Sequence, residues 1–146
     1  MAPMTGGCLC GAVRYEVTPP SLFHAHCHCA WCRRAHGAAF VTWVGAAEAR
    51  FRLVAGADRL RWHASTAQSR RGFCANCGTT LFFASALCPG EMHVTRASFD
   101  GEVDRDPGLH CFYDQRVAWA AVGDSLPTHD TGDPGLARYR AVPARR

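Results

Sequence analysis

The sequence predicts a mainly-β domain, and three observations carry the prediction. Short apolar runs of strand length recur along the chain, turn-forming residues separate them, and no long segment shows the 3.6-residue period of an amphipathic helix. At 146 residues the chain fits a single domain, residues 1–146, with room for a real core but not for two ordinary ones.

The elements follow in order. Residues 12–17 alternate, placing Val13, Tyr15 and Val17 on one face, and Pro19 and Pro20 stop the run. Strands are expected next at 40–44, 50–54 and 60–63, with Gly45 and the stretch 55–58 supplying turns. Residues 70–73 lead into a cysteine pair, and 81–84, 92–96 and 109–113 continue the series. Only residues 30–36 suggest a helix, and a short one. No repeat occurs beyond the cysteine pairs, and no interdomain linker. From Thr128 onward the chain is rich in Gly, Pro and Arg, which predicts a surface loop with a frayed end.

There is no run of 18 or more apolar residues, and the first residues lack the charged and apolar regions of a secretory signal. The expected location is therefore the cytoplasm, with no membrane partner. In that reducing compartment the nine cysteines are not expected to form a disulfide framework, and metal binding accounts for them better. The formal charge of +4, carried by Arg alone with no Lys, raises the question of nucleic acid. Binding two Zn²⁺ through seven thiolates removes three units and leaves about +1, so a nucleic-acid partner is not expected. Arg33, Arg34, Arg70 and Arg71 remain clustered in sequence.

The cysteines fall into three local groups of two, three and two. In Cys74-Ala75-Asn76-Cys77-Gly78 the two-residue spacer lets both sulfurs face one metal, and the glycine can adopt the positive φ that closes such a knuckle. Cys8-Leu9-Cys10-Gly11 achieves the same with one spacer residue, since side chains i and i+2 of an extended segment point to one side. Together Cys8, Cys10, Cys74 and Cys77 supply the four donors of a closed, structural zinc site. Cys27, Cys29 and Cys32 are left with three thiolates and no nearby fourth cysteine; Cys88 and Cys111 stand alone and read as buried or loop thiols. From spacing, two readings stand side by side. A histidine, His36 above all, closes the site as Cys₃His, or the fourth position is open to water or substrate. His28, lying between two ligands, would point away from the metal they share.

With these residues in view the sequence resembles the glutathione-dependent formaldehyde-activating enzyme family, which includes centromere protein V. The resemblance rests on GGCLCGAVRYEV, CHCAWCRRAHGAAF, RGFCANCGTTLFF and HCFYDQRVAW, in that order. It departs from the family at Ala118, where proline often precedes the late Trp. The resemblance implies a β-tent-like zinc-binding domain of small antiparallel sheets with two zinc ions per chain. Cys8, Cys10, Cys74 and Cys77 would be structural ligands, and Cys27, Cys29 and Cys32 catalytic ones with an open fourth position. It further implies a carbon–sulfur lyase acting on a small thiol such as glutathione and an aldehyde such as formaldehyde, forming or cleaving an S-hydroxymethyl adduct. Arg33, Arg34 or Arg71 could clamp a glutathione carboxylate. Trp31, Phe40 and Trp119 are candidates to wall the site, beside the commoner role of aromatic side chains in core packing. The alternative is a non-enzymatic zinc-binding module with two structural metal sites; a third reading is a redox or metal-handling protein that uses the three thiols directly.

Overall fold

The computed structural model describes residues 2–140. Eleven strands and one helix are found among them: β1 (Met4–Gly7), β2 (Arg14–Val17), β3 (Phe23–Cys27), α1 (Ala30–His36), β4 (Val41–Ala47), β5 (Phe51–Ala55), β6 (Leu60–Ala64), β7 (Ser69–Cys74), β8 (Thr80–Ser85), β9 (Glu91–Thr95), β10 (Leu109–Cys111) and β11 (Thr128–His129). The fold is mainly β, as the sequence predicts. A three-stranded sheet runs β1-β2-β5 and an eight-stranded sheet runs β11-β10-β3-β4-β9-β8-β7-β6. Pairing is antiparallel except at one edge, where β10 lies parallel to both β3 and β11.

Alternation along the central strands divides the interior in two. On one face of the large sheet Val44, Ala46, Phe82, Met92 and Val94 meet Val13, Tyr15 and Val17 of the small sheet region, all buried. Tyr15 anchors this layer: its ring packs edge-on against Phe82 and Phe99 at 5.3 Å, and its hydroxyl hydrogen-bonds Ser98 Oγ at 2.7 Å. The opposite face presents Val41, Trp43 and Phe83 to a second cluster that contains Cys27, Cys32, Cys111, Phe112 and Leu136. Register across this face sets up a lateral row, Arg71–Phe83–His93–Gly45–Phe23, one residue per strand. Gly45 is required there, because a Cβ would collide with the Phe23 ring.

Helix α1 coincides with the predicted span. Its cap is Cys29, whose Sγ accepts the Cys32 N–H at 3.3 Å, and Gly37 ends it in the left-handed conformation at φ 60°. The segment after residue 128 corrects the expected surface loop. Thr128–His129 pairs with β10, and Pro134–Tyr139 forms a 3-10 turn capped by Asp133, whose Oδ1 accepts the Gly135 N–H at 2.8 Å. Leu136 is buried in the second cluster and Tyr139 packs against it, so apolar contact outweighs the loop-forming composition. Residues 141–146, the last of the tail whose end was expected to fray, lie outside the described residues. Among the described residues no helix is long and apolar enough to cross a membrane.

Candidate active site and metal centres

Each cysteine group is assembled as the spacing suggests. The sulfurs of Cys8, Cys10, Cys74 and Cys77 lie within 4.8 Å of one another and could hold a metal ion, with Cys8 to Cys10 at 3.6 Å and Cys10 to Cys74 at 3.9 Å. Gly11 and Gly78 both take φ 79°, the conformation required of them, and the Gly78 N–H closes its knuckle on the Cys74 carbonyl at 2.7 Å. Donors surround these sulfurs: Val13 N–H reaches Cys8 and Asn76 Nδ2 reaches Cys10, each at 3.2 Å. The Thr79 hydroxyl lies 3.1 Å from Cys77 Sγ and, with the Thr79 backbone, draws that thiol down to about 5. The group ties the β1–β2 connection to the β7–β8 connection.

Cys27, Cys29 and Cys32 form a second group within 4.8 Å. Cys27 ends β3, Cys29 caps α1 and Cys32 sits in its first turn, so a strand-to-helix corner carries all three. Bonding to Cys27 and Cys29, followed by the charge of Arg71, holds the Cys32 thiol well below its usual range. Arg71 is almost wholly buried, stands with Nη1 and Nη2 both 3.7 Å from Cys32 Sγ, and lies over the Phe83 ring at 5.1 Å. Such a charge-assisted contact favours thiolate on Cys32.

Among the described residues no other Cys, His, Asp or Glu joins this group at that spacing. His36 instead packs edge-on against Trp43 at 5.3 Å with Nε2 buried and unpartnered, and burial lowers its pKa to about 4. His28 turns to His110, Nε2 to Nδ1 at 2.8 Å, and His110 Nε2 reaches both Asp124 oxygens at 3.0 Å. Cys111 is a neighbour that sequence reasoning missed: parallel pairing sets it opposite Cys27, and no local spacing signals that. Two further groups, His26–His110–Asp124 and Cys88–Glu91–His93, have comparable spacing but are held by their own hydrogen bonds.

The cysteine triad, unlike the four-cysteine group, opens on a cavity of about 820 Å³. Its apolar wall includes Phe23, Trp43, Phe83, Phe112 and Leu136. Among its described lining residues are four arginines, Arg33, Arg71, Arg138 and Arg140, and no carboxylate. His93 also lines it; Glu91 Oε2 lies 2.7 Å from His93 Nε2, and Tyr139 donates to the same carboxylate at 3.2 Å. Of the sequence candidates, Trp31 lines the cavity; Phe40 packs on the His26 and His28 rings, and Trp119 is exposed. Arg34 and Arg70 are exposed, Arg70 stacking on Trp62 at 4.1 Å. The cavity residues of the final segment carried no sequence signal, because only packing against β9 and β10 brings them there.

The fold is thus a β domain with two cysteine groups that could each hold a metal ion, one joining two strand connections and the other facing a ligand-sized cavity. Residues 3–115 match the family model of the glutathione-dependent formaldehyde-activating enzyme, and the chain belongs to that family. A relative from Halomonas elongata, provisionally named as a glutathione-dependent formaldehyde-activating enzyme, is 25% identical over 126 residues, covering 82% of this chain and 80% of its own length. A crystal structure of a Rhodobacter sphaeroides protein superposes with a TM-score of 0.59 at 29% identity, covering 69% of this chain and 92% of that one.

Proposed function

We propose that this chain catalyses zinc-dependent addition of a glutathione-like thiol to an aldehyde such as formaldehyde, and the reverse carbon–sulfur cleavage, at Cys27, Cys29 and Cys32. The observation that carries the reading is the difference between the two cysteine groups: four donors away from the cavity, three donors upon it. The thiolate donor sets suit zinc. Tetrahedral zinc–sulfur bonds of about 2.3 Å place sulfurs about 3.8 Å apart, and the spacings of 3.6 and 3.9 Å among Cys8, Cys10 and Cys74 match that edge. Cys8, Cys10, Cys74 and Cys77 would hold a structural ion, and the triad a catalytic one. When bound, the second ion supplies positive charge that favours the thiolate form of an incoming thiol.

The protein's own residues then have separable tasks. Arg71 offsets negative charge on Cys32. Arg33 and Arg140, with no lining carboxylate to oppose them, and Arg138, which also pairs with Glu91 at 3.4 Å, favour an anionic thiol such as glutathione. Apolar walls exclude water, which competes for the aldehyde carbon. The Glu91 carboxylate, 2.7 Å from His93 Nε2, holds the His93 ring in place at the cavity wall. In the addition, the sulfur–carbon bond forms as the carbonyl π bond opens, and the thiol proton ends on the resulting oxygen.

Cobalt-substituted protein tests the reading. Glutathione should change the thiolate-to-metal absorption through the cavity site alone, and the protein should accelerate exchange between formaldehyde and S-hydroxymethylglutathione. An unchanged spectrum with no acceleration would sink the enzyme and leave a zinc-binding module with two structural sites.

A further inference from the structure

The chamber beside the cysteine triad contains more apolar wall than a one-carbon aldehyde can use. Cys27 and Cys32 are packed in one cluster with Ala25, Trp43, Phe112 and Leu136, and Phe23, Phe83, Leu109 and Tyr139 pack against that cluster. All of these residues line the same cavity of about 820 Å³. Apolar wall stabilises a ligand only to the extent that the ligand brings apolar surface to bury. Formaldehyde has no carbon substituent to offer, and glutathione is amide and carboxylate along most of its length.

Part of this wall is supplied by a segment that the family model does not reach. The match ends at residue 115, whereas Leu136 and Tyr139 come from the 3-10 turn that follows β11. That turn is firmly placed. Leu136 is buried, the Tyr139 ring lies 5.8 Å from Phe23 and 5.6 Å from His93, and its hydroxyl bonds Glu91. Farther back, Gln115 Nε2 and Asp114 Oδ1 each bond the Thr131 hydroxyl, at 2.9 and 2.8 Å. The same turn brings Arg138 and Arg140 to the cavity, so it contributes apolar surface and positive charge together.

We infer that the aldehyde this chain serves carries an alkyl or aryl group, which Leu136, Tyr139 and their neighbours hold beside the cysteine triad. The inference rests on the thiol-addition reading and concerns only the electrophile. The sulfur of the anionic thiol forms a bond to the aldehyde carbon, the carbonyl π bond opens, and the thiol proton ends on oxygen, giving a hemithioacetal with its substituent in the apolar chamber.

The test uses the zinc-loaded full chain and glutathione with formaldehyde, propanal, butanal, hexanal and benzaldehyde, reading hemithioacetal exchange by two-dimensional exchange NMR against protein-free controls. The acceleration should grow by up to about fourfold per added methylene, the factor expected for burying each one, until the chamber is full. Leu136→Phe should move the optimum to a shorter chain, a change in profile that altered stability alone would not produce. Acceleration with formaldehyde that stays flat or falls along the series would overturn the inference and leave thiol addition standing, with the apolar wall serving only to exclude water. No acceleration with any aldehyde would overturn both.

Discussion

At the scale of single residues the two cysteine groups should respond differently to the same chemical change. Cys77 helps join two distant connections, so losing its thiolate would weaken the ion proposed for that group, whose binding would be linked to folding. Cys77→Ser should destabilise the whole protein, because loss of a metal ligand belongs to the most damaging class of substitution. Cys29→Ser, at a single strand-to-helix corner, should lower metal content by about one ion while moving the unfolding midpoint much less. Thermal unfolding with metal analysis on both variants separates them, and equal losses would make both sites structural. Arg71→Met should weaken metal binding at the triad by about 10- to 100-fold, as expected when a partner of a metal ligand is removed, read by chelator competition in the cobalt-loaded protein. The cysteine groups were legible because both spacers and knuckle glycines are local in sequence. The contact of Arg71 with Cys32 was not, because it depends on β7 and α1 meeting across the fold.

At the scale of elements, legibility follows how strongly each segment declares its period. The run ending in β2 did so, and Val13, Tyr15 and Val17 are all fully buried or nearly so. Helix α1 was expected over 30–36 and forms there, although its cap, Cys29, is not a residue type that announces a helix start. β1 is Met4–Gly7, and its two glycines carry no strand signal; yet a side chain at Gly6 would strike the Tyr15 hydroxyl. β3 holds two histidines in five residues, and its pairing with β4 and β10 overrides that weak local preference. β11 is two residues long and exists because β10 offers it an edge. The burial of Leu136 gives this last segment a measurable stake. Leu136→Ala should cost about 2 kcal/mol or more in local packing, seen as faster hydrogen exchange across residues 128–140 with β4 and β9 unaffected. Unchanged exchange would show that Leu136 does not hold the segment down.

At the scale of the whole molecule, burial of histidine makes the protein sensitive to acid. Burial lowers the pKa of His24, against the opposing charge of Asp104, and lowers that of His36 to about 4. Both are bases held neutral by the fold. In the unfolded chain they titrate near the ordinary value of about 6.5, so below that pH the unfolded state binds more protons than the native one. The stabilisation is therefore present above about 6.5 and, for His36, is lost progressively as the pH falls toward about 4. Protonation of the thiolates proposed to hold zinc would weaken the fold in the same direction, because zinc ligands must be deprotonated. His36→Phe separates the two effects: it keeps a ring against Trp43, removes one titrating base and leaves the seven candidate metal-ligating cysteines in place. Urea unfolding of the zinc-loaded variant should show a shallower loss of stability between pH 6.5 and 4, by at most about 1.4 kcal/mol per pH unit. Parallel pH profiles for variant and parent would assign acid lability to the metal centres alone.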